Sequence, residues 1–305
     1  MKQDNAAIHS FTTISQLMHY LQQPAPLHPL IAVVNYDDVI LSAFEKNQKI
    51  SIDFYKISFK TNFKGQVKYG QGYYDFEEGG LAFLKPKQIV ISSDNLDSYE
   101  GYSLYFHPDF IRNYPLGNSI IHYGFFSYVV SEGLFLSAKE KKIIRNLFET
   151  IANELENNID NFSQDVLVSQ IELLLNYSNR FYNRQFITRK TLNHEIINAL
   201  ESLLDEYFVK NISLENGLPS VQFVSEKLNL SPRYLSDMLG SLTGQNTQQY
   251  IQTKVIDLSK DLLSSTSLSV AEIAYKLGFE HPQSFNKLFK TRTNQSPLNF
   301  RESFH

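Results

Sequence analysis

Two stretches near the C-terminus carry the same pattern, and this repeat restricts the possible folds more than any other feature. SVQFVSEKLNLSPRYLSDMLGSLTG (220–244) aligns with SVAEIAYKLGFEHPQSFNKLFKTRTN (269–294) at an offset of 49 residues, which becomes 50 after one inserted residue. The matched positions are mainly apolar, whereas the polar positions differ. The matched pairs are Val224 and Ile273, Leu228 and Leu277, Pro232 and Pro282, Leu235 and Phe285, Met238 and Leu288, and Leu239 and Phe289. The sequence therefore predicts two copies of one module with the same core.

Each copy is expected to form two short helices joined by a tight turn. In the second copy, Ser269 and Glu272 have capping-box spacing, and apolar residues then follow at helical period. Gly278 stands where a helix ends in the left-handed conformation, and Pro282 suits the first position of the next helix. This pattern predicts helix-turn-helix motifs at about 220–243 and 269–292. A lone motif of this kind can be purely structural, and the repetition is what favours a functional pair.

Several short stretches of this region resemble the DNA-binding half of AraC-type transcription regulators. The second copy and the end of the chain contain IAYKLGF, FNKLFK and SPLNFR, and the first copy with the segment after it contains LNLSPRYLSDML and KVIDLSKDLL. An apolar stripe at Ile251, Val255, Leu258 and Leu262 predicts one long helix at about 247–264. The resemblance covers roughly residues 195–303. It implies two recognition helices, held by a linker helix, that enter successive major-groove segments of DNA.

The resemblance also assigns candidate DNA contacts. In the second module they are His281, Gln283, Asn286 and Lys287 for bases or phosphates, with Lys290, Arg292 and Arg301 for phosphates. In the first module they are Ser231, Arg233, Ser236 and Asp237. The formal net charge is −4, but residues 281–301 contain four Lys or Arg and no Asp or Glu. This local positive charge predicts that phosphate affinity comes mainly from the second module.

Three residues depart from the family pattern. Asp237 stands where a basic residue is common; its carboxylate could accept a hydrogen bond from cytosine N4, repel phosphates, or only cap or solvate its helix. Gly240 is a poor helix residue and provides no contact. Asn294 replaces a usual glycine, and asparagine tolerates the left-handed conformation. We therefore expect the first module to bind DNA less tightly than the second, with the fold intact.

The first half of the chain has the pattern of a small β domain. KISIDFYKISF (49–59) alternates and then changes phase, which predicts a strand with a bulge or bend, and further short apolar segments follow between turn residues. Their order resembles the cupin-like sensor half of AraC-type regulators. The fold class we expect is α+β: an N-terminal cupin-like β-barrel with flanking helices, then an all-α double helix-turn-helix domain. The expected divisions are 1–135, 136–190 and 191–305.

The barrel interior is a candidate effector pocket. Its expected aromatic lining is Tyr55, Tyr69, Tyr74, Phe83 and Tyr105, with Lys56 or Lys68 as an anchor for an acid. Aromatic residues in strands more often pack cores, so this set is also explained by structure alone. No His lies between His28 and His107, and the chain has no Cys. Both facts argue against a metalloenzyme site, and we expect neither a metal nor a cofactor.

Two helices are predicted at 138–158 and 164–182, and an apolar stripe in the second suggests either packing or pairing of subunits. The stripe consists of Leu167, Ile171, Leu174 and Phe181. The basic segment 179–190 is the expected hinge between the halves. The longest aliphatic stretch, Leu30 to Val34, is far shorter than a membrane span, so we expect a cytoplasmic protein.

The function predicted from these features is sequence-specific transcription regulation without enzymatic activity. The expected partners are promoter DNA, a small-molecule effector, a second copy of the chain and, for an activator, RNA polymerase. Two alternatives stay open. One is a non-metal cupin-fold enzyme with a helical appendage, and the other is an adaptor whose helical repeat binds a protein partner.

Overall fold

The structure, a computed structural model, describes residues 8–39, 48–63, 66–69, 72–75, 79–91, 99–129, 132–157 and 160–303. At 62–63, 66–69, 72–75, 99 and 190–191 it describes the backbone alone. The chain divides into two compact units, Met1–Gln185 and Phe186–His305. Each unit is described separately below.

Short strands dominate unit 1, as its alternating and aromatic-rich segments predict. They are β1 (Ile8–Phe11), β2 (Ile31–Asn35), β3 (Lys49–Ile52), β4 (Tyr55–Phe63), β5 (Gln66–Tyr69), β6 (Gly72–Asp75), β7 (Gly80–Leu84), β8 (Ile89–Ile91), β9 (Tyr99–Phe106) and β10 (Leu134–Phe135). Five strands form an antiparallel sheet in the order β10-β7-β4-β9-β2, and β1-β3-β8 and β5-β6 form smaller sheets. The unit is thus β-rich, and the described strands form no closed barrel. The sheet ends at β10, which is only two residues long, and at β2, and these two edges do not pair with each other.

The predicted change of phase within 49–59 proves to be a bend between two strands. β3 ends at Ile52 and β4 begins at Tyr55, and the two strands belong to different sheets. A register shift between Lys60 and Asn62 bends β4 a second time. The chain therefore changes direction twice, at the bend between β3 and β4 and at the bulge within β4, as strands do when a sheet curves.

Helices cover one face of the five-stranded sheet. The helices of unit 1 are α1 (Ile14–Tyr20), α2 (Pro108–Ile111), α3 (Pro115–Ser119), α4 (Ala138–Glu156) and α5 (Ser163–Thr188), and α5 continues across the unit boundary. Phe148 of α4 stacks on Phe59 of β4 and Tyr102 of β9, with ring centroids 6.0 and 5.8 Å apart. The predicted stripe of α5 is also buried within this unit (Leu167, Ile171, Leu174 and Phe181). That stripe therefore packs its own unit and is not a surface for a second copy.

Unit 2 is helical. Its helices are α6 (Lys190–Val209), α7 (Ser213–Asn216), α8 (Val221–Lys227), α9 (Pro232–Thr243), α10 (Thr247–Ser265), α11 (Val270–Lys276), α12 (Pro282–Thr293) and α13 (Pro297–Glu302). The helix pairs α8–α9 and α11–α12 are the two copies of the repeat, and α10 joins them. Most matched apolar residues are buried, including Val224, Ile273, Leu235 and Phe285. The two modules share the same core positions, which explains why the matched residues are mainly apolar.

The turns of the two modules require left-handed backbone, which glycine and asparagine supply in opposite order. In the first module, Asn229 (φ 55°) makes the turn and Gly244 (φ 74°) ends the second helix. In the second module, Gly278 (φ 91°) makes the turn and Asn294 (φ 61°) ends the helix. The left-handed conformation expected of Asn294 is thus confirmed. A Cβ on Gly278 would also lie 2.6 Å from the carbonyl carbon of Gly217, so this turn needs glycine for space as well as for φ.

Candidate nucleic-acid interface and effector pocket

Helix α12 presents a polar face opposite its buried face. Phe285 and Phe289 are fully buried, and Pro282 begins the helix. Gln283, Asn286, Lys287 and Lys290 are all exposed and recur at spacings of three and four, which places them on one side of the helix. His281, just before the helix, is also exposed. The buried phenylalanines therefore fix which side chains the second module offers to a ligand.

An open groove of about 460 Å³ runs beside this polar face. Asn286, Lys287 and Lys290 form one wall, and the start of α13 forms another. The groove residues that sequence reasoning did not single out are Val270, Ser296, Pro297 and Leu298. The available signal was the Ser296–Pro297 pair, which begins α13 just as Ser231–Pro232 begins α9. The groove therefore combines two lysines, polar groups and exposed apolar surface at Leu298.

The two arginines assigned to phosphates both bond within the unit. Arg301 is partly buried and donates to the backbone oxygens of Leu263 (3.1 Å) and Leu268 (2.6 Å). It thereby ties α13 to the end of α10 and the following loop. Arg292 is exposed and donates to the side-chain oxygen of Gln252 of α10 at 2.7 Å. Both arginines add positive charge, but Arg301 also has a structural role that the sequence does not reveal.

In the first module, the four candidate contacts differ sharply in exposure. The Ser231 hydroxyl is buried and accepts from the Tyr234 amide at 3.2 Å, which caps α9. Ser236 is hydrogen-bonded to Thr247 of α10 at 3.0 Å and is partly buried. Arg233 is exposed, and its Nε lies 2.9 Å from Oδ2 of Asp237 in an ion pair along the helix. Ser231 and Ser236 thus stabilise the fold, and Arg233 and Asp237 form an ion pair with each other.

A polar network fastens α6 to the linker helix α10. Tyr250 donates to Glu201, and Nζ of Lys254 lies 3.1 Å from Glu201 and 2.8 Å from Asp205. The hydrogen bond from Tyr250, followed by that from Lys254, lowers the pKa of Glu201. Burial, followed by the bond to Glu201, raises the pKa of Tyr250. The network holds Glu201 ionised and joins α6 to the N-terminal half of α10.

The three predicted effector-pocket residues whose side chains are described, Tyr55, Phe83 and Tyr105, lie on two different faces of the sheet. Tyr55 stacks on Phe106 (centroids 5.0 Å apart) and Phe83 lies against Phe125 (4.2 Å), both within the aromatic packing on one face of the sheet. Tyr105 lies on the opposite face and contacts Phe54 at 5.9 Å. Tyr69 and Tyr74 belong to strands β5 and β6, but their side chains, like that of Lys68, lie outside the described residues.

The described residues offer neither a metal-binding group nor a membrane-spanning helix. No group of three or more His, Asp or Glu side chains in the described part of the chain could hold a metal ion. Over the same residues, no helix is both long and apolar enough to cross a membrane.

Comparisons with known proteins match part of the chain, and the match to a family model lies within the second unit. A family model described as a helix-turn-helix domain matches residues 224–303. The HTH-type transcriptional activator RhaS of Salmonella schwarzengrund (strain CVM19633) is 29% identical over 140 residues, which are 46% of this chain and 46% of that protein. The chain thus spans about half the length of the curated relatives it matches.

Two solved structures each cover about a third of this chain. The C-terminal domain of the response regulator yesN from Fusobacterium nucleatum is 32% identical, covers 34% of this chain and 98% of its own, and has a TM-score of 0.29. The DNA-binding domain of AdpA, solved in complex with a target DNA, is 24% identical, covers 37% and 91%, and has a TM-score of 0.30. Scores this low do not establish a common fold for the whole chain.

Proposed function

We propose that this chain, whose C-terminal domain is an AraC-type helix-turn-helix domain, is a sequence-specific DNA-binding transcription regulator. The observation that carries the proposal is the exposed face of α12: Gln283, Asn286, Lys287 and Lys290 project together from a helix anchored by buried Phe285 and Phe289. Asn and Gln can pair with adenine through two hydrogen bonds, and Lys can bind phosphate or guanine. A polar helix face of this composition suits the major groove.

We propose that the two modules contribute unequally to DNA binding. Residues 281–301 contain no Asp or Glu, and among the described residues no acidic side chain pairs with Lys287 or Lys290 of α12. In α9 the one exposed cation, Arg233, is paired with Asp237. The second module would therefore supply most of the base reading and phosphate affinity, and the first would add orientation and weaker contacts.

Selection from random duplexes tests the proposal directly. The purified chain is expected to enrich a site with two half-elements about one helical turn apart, with affinity that falls as salt rises. Asn286→Ala should lose preference at one base position, whereas Lys287→Ala should weaken all sequences alike. Lys142→Ala, an exposed lysine of α4 in the other unit, is the matched control. Weak binding alike to every sequence, unchanged in both variants, would refute the proposal and favour the protein-adaptor alternative.

Unit 1 is proposed to be a cupin-like sensor of a small-molecule effector. Its support is the curved antiparallel sheet: α4 packs on one face, and the other face carries Lys56, Ser58 and Lys60 beside an apolar cluster that includes Phe54 and Tyr105. Effector binding would shift the population of states in which unit 2 can engage DNA. By analogy with RhaS, which is named an activator, the DNA-bound chain would activate transcription. An activator of this kind would contact RNA polymerase.

A homodimer is proposed on a different surface from the one predicted. Because the stripe at Leu167 and Ile171 is buried, pairing would use the outer side of α5, where Val166 and Leu173 are exposed. Sedimentation of the chain and of a Leu173→Asp variant measures the mass of the assembly. Asn179→Asp, which adds the same charge at an exposed position of α5, is the control. A monomeric mass for the unaltered chain at working concentration would rule the dimer out.

A further inference from the structure

One face of the five-stranded sheet carries two lysines in a setting of hydroxyl groups. Alternation along β4 puts Lys56, Ser58 and Lys60 on the same face, away from the aromatic packing of Tyr55 and Phe59. In the neighbouring strand β9, Tyr105 pairs with Lys56 and Ser103 pairs with Ser58. Cross-strand partners project to the same side of a sheet. We call Tyr36, Lys56, Ser58, Lys60, Ser103 and Tyr105 the lysine–hydroxyl cluster.

The distances between the side chains show that the cluster is contiguous. The Ser103 hydroxyl lies at its centre, 2.6 Å from the Tyr36 hydroxyl and 3.4 Å from that of Ser58. At one end, Nζ of Lys56 lies 5.4 Å from the centre of the Tyr105 ring. At the other end, Nζ of Lys60 lies 5.8 Å from the centre of the Tyr36 ring. Two ammonium groups therefore flank a row of hydroxyls.

Access to the cluster is through its two lysines. The residues in register with Lys60 on the two neighbouring strands are Gly80 and Gly101, so neither strand places a side chain next to it. Lys56 and Lys60 are only partly buried, whereas Ser103 is fully buried. Both lysine side chains are therefore partly accessible to a small molecule on this face of the sheet. Both lysines also interact within the protein, and a ligand would add to or replace those interactions.

Positive charge on Lys60 is disfavoured in the cluster, and a bound anion would offset this. Burial, followed by repulsion from Lys56, holds the pKa of Lys60 well below its usual range. Burial raises the pKa of the Tyr105 hydroxyl, which keeps it neutral and able to donate. A buried positive charge is stabilised by a bound anion, and hydrogen bonds from ammonium and hydroxyl groups to an oxyanion are among the strong ones.

We propose that the lysine–hydroxyl cluster binds a small oxyanion, the carboxylate or phosphate group of the effector, between Lys56 and Lys60. This deepens the proposed function, on which it rests, because it gives the sensor unit a ligand class. It also changes the predicted pocket: Tyr105 and Lys56 belong to the site, and Tyr55 and Phe83 lie on the other face of the sheet.

The test is calorimetric titration of the full chain with benzoate, succinate and inorganic phosphate, at one ionic strength set with sodium chloride. Lys56→Met and Lys60→Met keep the alkyl chain and remove the charge. Lys85→Met, on the exposed segment after β7, is the matched control. We expect saturable binding of at least one probe to the unaltered chain and to the control. Binding should weaken about tenfold or more in the other two variants, because each loses a charge-assisted hydrogen bond to the anion.

The two kinds of probe identify the source of the oxyanion, since saturation by benzoate or succinate assigns a carboxylate and saturation by phosphate assigns a phosphate. Absence of saturable binding for all three, or equal binding in Lys60→Met, would overturn the site. Melting temperatures check that the variants fold. Lys56→Met and Lys60→Met each remove one of two lysines that repel each other. Selection from random duplexes with the same protein separates the two proposals: enrichment without anion binding leaves the regulator standing and removes the site.

Discussion

The ion pair of Arg233 and Asp237 on α9 makes a sharp prediction, because its acidic member lies on a helix expected to face DNA. Nε of Arg233 and Oδ2 of Asp237 are 2.9 Å apart, and the side chains are 48% and 29% exposed. Replacing Asp237 with Asn keeps the shape of the side chain and removes its charge. The change should release Arg233 for a phosphate and remove repulsion between the carboxylate and the DNA backbone.

The expected magnitude follows from the exposure of the pair. An exposed pair four residues apart on a helix stabilises a protein by only about 0.3–0.5 kcal/mol, so Asp237→Asn should barely lower the free energy of unfolding. A carboxylate about 8 Å from a phosphate is repelled by about 2 kcal/mol at the effective dielectric of a protein surface. Salt near physiological strength, with a screening length of about 8 Å, reduces this to about 0.7 kcal/mol. Binding should then tighten about threefold for one nearby phosphate and about tenfold for two.

The assay is duplex binding by fluorescence anisotropy over a series of salt concentrations, with a selected site and a scrambled duplex. If Arg233 gains one phosphate contact, the slope of log affinity against log salt should steepen by about 0.9. Asp257→Asn is the matched control, because Asp257 forms a similar exposed pair with Lys260 (3.0 Å) on the linker helix. Weaker binding of Asp237→Asn to the selected site alone would refute this reasoning and show that the carboxylate reads a base.

Four further changes test the second unit by thermal or urea unfolding. Gly278→Ala should destabilise by about 2 kcal/mol or more, because φ is 91° and a Cβ would meet the backbone of Gly217. Gly240→Ala, the same chemical change, should stabilise by about 1 kcal/mol, since nothing lies within 4 Å of its Cβ inside α9. Arg301→Met should lower the free energy of unfolding by about 2 kcal/mol, because two backbone carbonyls lose their hydrogen-bond donor. A change below about 0.5 kcal/mol would contradict the structural role of Arg301. Tyr250→Phe removes the hydrogen bond to Glu201 and should lower the free energy of unfolding by about 1 kcal/mol at pH 7. Because Tyr250 lowers the pKa of its partner Glu201 below 4.5, that contribution is present above pH 4.5 and should disappear as pH falls through the folded-state pKa.

The repeat determines much of unit 2 from sequence alone. Caps, apolar period and left-handed turn residues are local signals, and Ser269, Gly278 and Pro282 sit in the structure where those signals predict. Local propensity and burial agree here, so the exposed face of α12 also follows from the positions of Phe285 and Phe289.

Tertiary structure alone decided how individual polar residues are used. Arg301 bonds to a carbonyl 38 residues away, and Ser236 bonds to the start of another helix, so neither partner can be read from neighbouring residues. Likewise, alternation places Tyr55 and Lys56 on opposite faces of β4, but only strand register shows that Tyr105 joins Lys56. Period and caps act over a few residues, whereas register and side-chain partners depend on which distant segments pack together, and that choice is made by the folded chain as a whole.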